Sequence, residues 1–276
     1  MGHLQAVEGE GGWDLKIYSI SLAETHGCSR MSSRAPGLAP RPSTRQLDCL
    51  PCFSAMLFLY IKAFLTHCCQ LHTPPFANVM RIARYLLSTR DKGIICKPDY
   101  NKGLEIFVDA DFAGGYDPKN STDADTMYSR TGFVIKYANC PVYWQSKLQT
   151  EISLSTAEAE YIALSSALRE TIPLNNLITE LQTVMPVKAL HPHFVVRVHG
   201  DNQSCIAIAE NPKFTPRTKH IALKYHHFRK HVRTKNNKDG FLEILYCPAT
   251  DQVADMFTKP ISQGAFEYLR KLLMGW

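Results

Sequence analysis

Apolar and polar positions fall into two textures along this chain, and the change comes near residue 74. Before it, residues 31–45 are rich in Ser, Pro, Arg and Gly and show no hydrophobic period, which predicts loop or disorder. Residues 53–65 (FSAMLFLYIKAFL) are apolar, but the run is only 13 residues long and Lys62 interrupts it. A membrane-crossing helix needs about 20 such residues. The expectation for residues 1–73 is therefore a poorly structured extension holding one short apolar helix, with no membrane partner favoured.

From residue 74 the pattern becomes regular. In FANVMRIARYLL (76–87), Val79, Ile82, Ala83 and Leu86 share one face of a helix, and residues 74–103 read as a connecting helix and linker. LEIFV (104–108), GFVIKY (132–137) and residues 142–145 have the character of strands,. Ser155 opens a long helix to Leu181, with a kink or break expected at Pro173. A strand at 194–199 (FVVRVH), a short helix at 202–210 and a basic helix at 217–234 follow. FLEILY (241–246) alternates as a strand, and a helix over 251–258 closes the series. This succession predicts an α/β fold, a mixed sheet flanked by helices over residues 104–261, with a C-terminal helix at 262–276.

Charge changes the picture only once it is located. The 276 residues carry a net +6, but nine Lys and Arg and no acid lie between residues 213 and 238, which leaves the remainder at −3. Such a segment suits phosphate tracking with a strong salt dependence; a merely solvated basic face is the other reading. His220, His226, His227 and His231 recur there at helical spacing, and packing or phosphate contact explains them better than a metal. Nine scattered cysteines, and a start without a basic segment followed by an apolar run, point to reduced thiols in an intracellular protein, cytoplasmic or nuclear, with no secretion signal,. Cys49 and Cys52 precede Cys68 and Cys69 without zinc-ligand spacing in the second pair, so chance thiols are the default.

The candidate chemistry lies in acids at element ends. Asp109 follows LEIFV directly and Asp201 follows VVRVHG. In an open α/β sheet, sites form at the carboxyl ends of strands, although strand-end Asp residues also serve as turn formers and caps. Ser155-Thr156-Ala157-Glu158 is a capping box, which gives Glu158 a structural task. Glu160 lies about 200° around the helix from Glu158, near an apolar stripe where an unpartnered carboxylate is costly. Asp255 sits with Val253, Ala254 and Phe257 on the closing helix, whereas Asp251 suits a cap or first-turn position. Four inward-leaning acids call for cations, and oxygen-only donors select Mg²⁺, with Mn²⁺ as an alternative, over zinc.

Seven strings in order then carry a resemblance: VDADFAGG (108–115), SRTGFVI (129–135), WQSKLQT (144–150), LSTAEAEYIA (154–163), GDNQS (200–204), RTKHI (217–221) and QVADMFTKP (252–260). Together they resemble the ribonuclease H domain of copia-type retrotransposon polyproteins. The resemblance implies a five-stranded mixed sheet flanked by helices, with Asp109, Glu160, Asp201 and Asp255 as catalytic ligands of two Mg²⁺ ions. It also implies hydrolysis of the RNA strand of an RNA–DNA hybrid, in which one ion activates water and the other stabilises the leaving oxygen. Asn202, Gln203, Arg217, Lys219, His220, Lys224, Arg229, Lys230 and Arg233 are the residues expected to meet nucleic acid. The Tyr-x-Asp-Asp signature of reverse transcriptase is absent from these residues, so the polymerase is expected as a partner chain or domain. The alternative is an inactive relic that retains at most nucleic-acid binding.

Overall fold

A computed structural model describes residues 7–9, 12–14, 75–89, 92–116, 124–184, 195–211 and 221–276. The chain divides into two compact units, residues 1–46 and 47–276. In the first, β1 (Val7–Gly9) pairs antiparallel with β2 (Gly12–Asp14). The stretches at 31–45 and 53–65 and the cysteines at 49, 52, 68 and 69 lie outside the described residues.

The second unit is built on a five-stranded mixed sheet. Its strands are β3 (Leu104–Asp111), β4 (Arg130–Tyr137), β5 (Cys140–Leu148), β6 (Val196–Gly200) and β7 (Leu242–Tyr246), in the order β5-β4-β3-β6-β7. β3, β4 and β5 form an antiparallel meander, while β6 joins β3, and β7 joins β6, in parallel. The tight turn from β4 to β5 puts Ala138 and Asn139 at φ 49° and 67°, the left-handed pair that a two-residue hairpin turn demands.

Alternation decides what each face of the sheet buries. Leu104, Ile106 and Val108 of β3 join Phe133, Ile135, Val198 and Ile244 in a core that also contains Tyr161, Leu164 and Leu168, residues of helix α2 (Thr156–Val184). Val134 lies in a second core with Val253, Met256, Phe257, Leu269 and Leu273. That core takes in α4 (Asp255–Thr258) and α5 (Gln263–Met274). β4 is thus buried on both sides, which is why its sequence reads as nearly continuous burial rather than alternation,. Helix α1 (Pro75–Ser88) meets α5 through Tyr85, whose ring lies edge-on to Phe266 at 5.7 Å. α3 (Gln203–Glu210) follows β6 directly. Among the described residues, no helix is long and apolar enough to cross a membrane.

Three local expectations need correction. α2 runs unbroken through Pro173 to Val184; Ile172, Leu174 and Ile178 pack against the core on both sides of the proline, and tertiary packing outweighs the lost hydrogen bond. The basic helix at 217–234 is not an α-helix over its described part, 221–234. Two short 3₁₀ turns, Leu223–His226 and Arg229–His231, replace it. Tyr225, Phe228 and Val232 are each buried, and Arg233 N–H then donates to Leu242 O at 2.7 Å, so the chain leaves helical geometry to meet β7. The closing helix at 251–258 is likewise divided: a 3₁₀ turn covers Ala249–Asp251, and α4 begins only at Asp255. The interruption falls at Gln252, whose side chain turns inward to the sheet.

Candidate metal centre

The acids converge where β3 and β6 end. Carboxylate oxygens of Asp109, Asp201 and Asp255 all lie within 4.8 Å of one another. Asp109 points from β3 and is 1% exposed. Asp201 follows β6 immediately, and Asp255 is the first residue of α4. Glu160, in the second turn of α2, is not one of the three but stands beside them, and its carboxylate accepts the Ala110 N–H. It also lines a small cleft with Val108, Gly200, Asn202 and Cys205.

A close approach of backbone makes the convergence possible. Gly132 of β4 lies opposite Asp109. A Cβ there would come within 2.5 Å of Thr258 Cγ2 and 2.9 Å of Phe257 Cβ, distances that a packed interior does not accommodate. With glycine at this position α4 settles onto β4, Thr258 donates its hydroxyl to Asp109 Oδ2, and Ser146 Oγ donates to Phe257 O at 2.6 Å.

The electrostatics show a site short of positive charge. Burial, then the charges of Asp109 and Asp201, push the Glu160 carboxyl up to about 9. Burial and Asp109 likewise push Asp255 up to about 7 and raise Asp201 above the ordinary range. Lys259 reaches into the group, with Nζ 3.0 Å from Asp255 Oδ1 and 3.6 Å from Asp109 Oδ1. Burial opposes its charge, but Asp109 and Asp255 more than offset this and raise its pKa. One lysine against four carboxyls leaves repulsion unrelieved, and Asp255 Oδ1 is buried without a well-directed hydrogen bond. Buried carboxylate oxygens with no nitrogen or sulfur donor among the three suit a hard divalent cation such as Mg²⁺ or Mn²⁺. The residues present fit such an ion.

The neighbouring acids do other work. Glu158 closes the capping box: its N–H donates to Ser155 Oγ at 3.2 Å, and its carboxylate accepts the Leu154 N–H at 2.7 Å. Asp111 ends β3 opposite Arg130 and supports that guanidinium's charge. Asp251 accepts a hydrogen bond from Tyr268 at 2.9 Å.

The residues expected to meet nucleic acid divide into groups. Arg217, Lys219 and His220 lie outside the described residues. Asn202 caps α3 by accepting the Cys205 N–H at 3.0 Å, and Gln203 is exposed beside it. Arg229 turns inward, donating to Tyr161 Oη and to Ile208 O, both at 2.9 Å. Lys224 pairs with Glu151, and Arg233 donates to Gly240 O at 3.1 Å. Lys230 is exposed. Sequence reasoning gave no role to Lys259, Thr258, Gly132 or Gln252. Lys259 was the most accessible of these, since it follows Asp255 by four residues, the spacing that brings two side chains to one helix face.

Fold and site together define a mixed α/β protein with an acid cluster at the strand ends that can hold a divalent cation. Three curated relatives place it more closely. The chain is 34% identical over 193 residues, 70% of its length, to the retrovirus-related Pol polyprotein from transposon RE2 of Arabidopsis thaliana. It is 33% identical over 187 residues to that from transposon RE1 of the same plant, and 34% over 192 residues to that from transposon TNT 1-94 of Nicotiana tabacum. The chain belongs to the family of copia-type retrovirus-related Pol polyproteins. The match spans 11–13% of those relatives' own lengths. No family model matches it.

Proposed function

We propose that this chain is a ribonuclease H-type nuclease that hydrolyses the RNA strand of an RNA–DNA hybrid with divalent cations held by Asp109, Glu160, Asp201 and Asp255. The observation that carries the reading is the convergence of three carboxylates within 4.8 Å, Asp109 and Asp255 buried and Asp201 half-buried, with Glu160 beside them. Relatives named as Pol polyproteins support a role in processing nucleic acid.

Bound Mg²⁺ or Mn²⁺ would supply Lewis-acid stabilisation of the charge that develops at phosphorus. The protein's own part is positional. Asp109 and Asp255 are held by β3 and α4, with Thr258 fixing the Asp109 carboxylate. Lys259 balances part of their charge until a cation arrives. Gln203 and Lys230 are exposed and free to meet a phosphate backbone, as is Lys224 once released from Glu151; the basic residues Arg217, Lys219 and His220 are offered for the same contacts on sequence grounds alone. Hybrid selectivity would rest on 2′-hydroxyl contacts and groove shape rather than base reading. Another Pol segment, above all reverse transcriptase, would be the natural partner.

The test is Mg²⁺-dependent cleavage of a labelled RNA–DNA hybrid by the full chain, with Asp109→Asn and duplex DNA beside it. RNA-strand cleavage that disappears in the variant is the expected result. A folded chain that binds hybrid yet leaves it intact would identify a relic with binding alone. That reading draws on the engagement of Arg229, Lys224 and Arg233 with partners within the chain, which leaves fewer basic side chains for substrate. A chain that neither cuts nor binds would overturn both.

A further inference from the structure

β3 and β6 run parallel, paired from Glu105 opposite Arg197 to Phe107 opposite His199. Two more residues in the same register would set Asp109 opposite Asp201, like charges face to face. The ladder stops short of that. β3 continues only with β4, to Asp111 opposite Arg130, and β6 only with β7, to Gly200 opposite Tyr246. At the point of separation lies the Gln252 side chain, fully buried at 0% exposure. Its Nε2 donates to Val108 O at 2.9 Å and to His199 O at 3.3 Å. Its Oε1 accepts the Ala254 N–H at 3.4 Å, and its own carbonyl accepts the Asp255 N–H at 3.1 Å.

We infer that Gln252 is a positioning residue for the cation site: one buried amide ties the backbones of β3, β6 and the start of α4 together, and thereby sets the spacing of Asp109, Asp201 and Asp255. Val108 precedes Asp109 directly, His199 precedes Asp201 by two residues, and Gln252 precedes Asp255 by three. A primary amide offers two hydrogens and an oxygen on one planar group, which matches the two carbonyls and one N–H presented here. No other uncharged side chain of this length does so. Loss of the amide leaves two buried carbonyls without partners, and their relief is a shift of one strand against the other. Binding of an ion that needs fixed oxygen spacing should register that shift, because groups that orient ligands typically govern about 10–100-fold in metal affinity.

This inference rests on the cation reading above, and the experiment separates the two. Mn²⁺ binding to the full chain is measured by the loss of the free-ion electron paramagnetic resonance signal, beside thermal unfolding of the same samples. The proteins are wild type, Gln252→Met, Gln252→Asn and Asn237→Ala. Asn237 bridges two carbonyls, Lys230 O and Val232 O, by its own amide at 3.0 and 2.9 Å, so its loss reports on removing an amide bridge of the same kind elsewhere. The expected result is Mn²⁺ affinity reduced at least about tenfold in Gln252→Met, less in Gln252→Asn, and unchanged in Asn237→Ala. The Mg²⁺ concentration for half-maximal cleavage should move upward in parallel, with partial recovery at high Mg²⁺. Wild-type affinity in a folded Gln252→Met chain overturns the inference while leaving the cation reading intact. Should that variant fail to fold, Gln252→Asn, which keeps the amide on a shorter stem, decides by the same criterion. A wild-type chain without saturable Mn²⁺ binding overturns the cation reading and this inference with it.

Discussion

β3 carries two buried carboxylates four residues apart on the same face, and their surroundings are opposite. Glu105 lies among basic side chains: His199 Nε2 at 3.6 Å, Arg197 at 4.0 Å, and the charges of Lys102 and Lys136. Burial by itself would raise its pKa, yet the neighbouring His199 ring and the lysines hold it below the ordinary range. At Asp109 the balance is reversed. Three further carboxyls crowd one lysine, and the pKa values of Glu160, Asp201 and Asp255 rise. The first cluster is complete in itself, and a further ion would gain little there. The second is left short of positive charge, which a divalent cation could supply. Burial of an acid is therefore uninformative until the sign of its neighbours is known.

The sharpest way to break this comparison is to substitute each acid isosterically. Asp109→Asn should lose on the order of 10²–10³-fold in hybrid cleavage and most of its Mn²⁺ binding; retained cleavage would remove Asp109 from the site. Glu105→Gln should do the reverse. It removes the buried negative charge that Lys102 and Lys136 face and costs roughly 1–3 kcal/mol of stability in urea unfolding, with Mn²⁺ affinity unchanged. If Glu105→Gln weakened Mn²⁺ binding instead, the two clusters would not be independent.

The pH dependence follows from the same contrast. Glu160 and Asp255 titrate near 9 and 7 in the fold, against ordinary values of 4.5 and 3.8. Between those limits the folded state holds more protons than the unfolded one, so stability falls as pH rises. Metal-free Tm should accordingly decline from about pH 5 to about pH 9, and saturating Mg²⁺ should abolish the decline. In Glu160→Gln the upper part of the slope should flatten, with metal-free Tm at pH 8 raised by about 2–4 °C, the equivalent of one kcal/mol for a chain of this size. The smallest effect belongs to Lys259→Met. It should lower metal-free stability by no more than about 1 kcal/mol, as for a partly solvated ion pair, and tighten Mn²⁺ binding by a similar amount. A weaker affinity would show that Lys259 helps to build the site instead of neutralising it.

Much of this was legible in the sequence, for identifiable reasons. Asp109 and Asp201 stand out because an acid placed directly after an apolar strand is a local pattern, and Glu158 is separated from Glu160 by the capping box and by their positions around the helix. The α/β layering follows from periodicity switching between strands and helices. What local pattern could not reveal depends on contacts between distant residues. Gly132 reads as an ordinary strand glycine until α4 is seen against it. Gln252 reads as a polar residue before a helix until its amide is found between two strands. The basic stretch misled because the buried Tyr225, Phe228 and Val232 have a spacing that suits a helix, while only the tertiary pull of β7 turns that spacing into 3₁₀ turns. Its charge count likewise said nothing of Arg229, which is spent on Tyr161 and Ile208.

The site also has a temporal meaning. Thr258 reaches Asp109 across 149 residues of chain, and Gln252 reaches Val108 across 144. Contacts of such separation form late, because a long loop must close before they stabilise anything. On a ribosome the strand bearing Asp109 would emerge well before α4 exists to complete the cluster. A chain assembled in this way keeps Asp109 and Asp201 apart from their third acid until the stretch from Gln252 to Thr258 has been made.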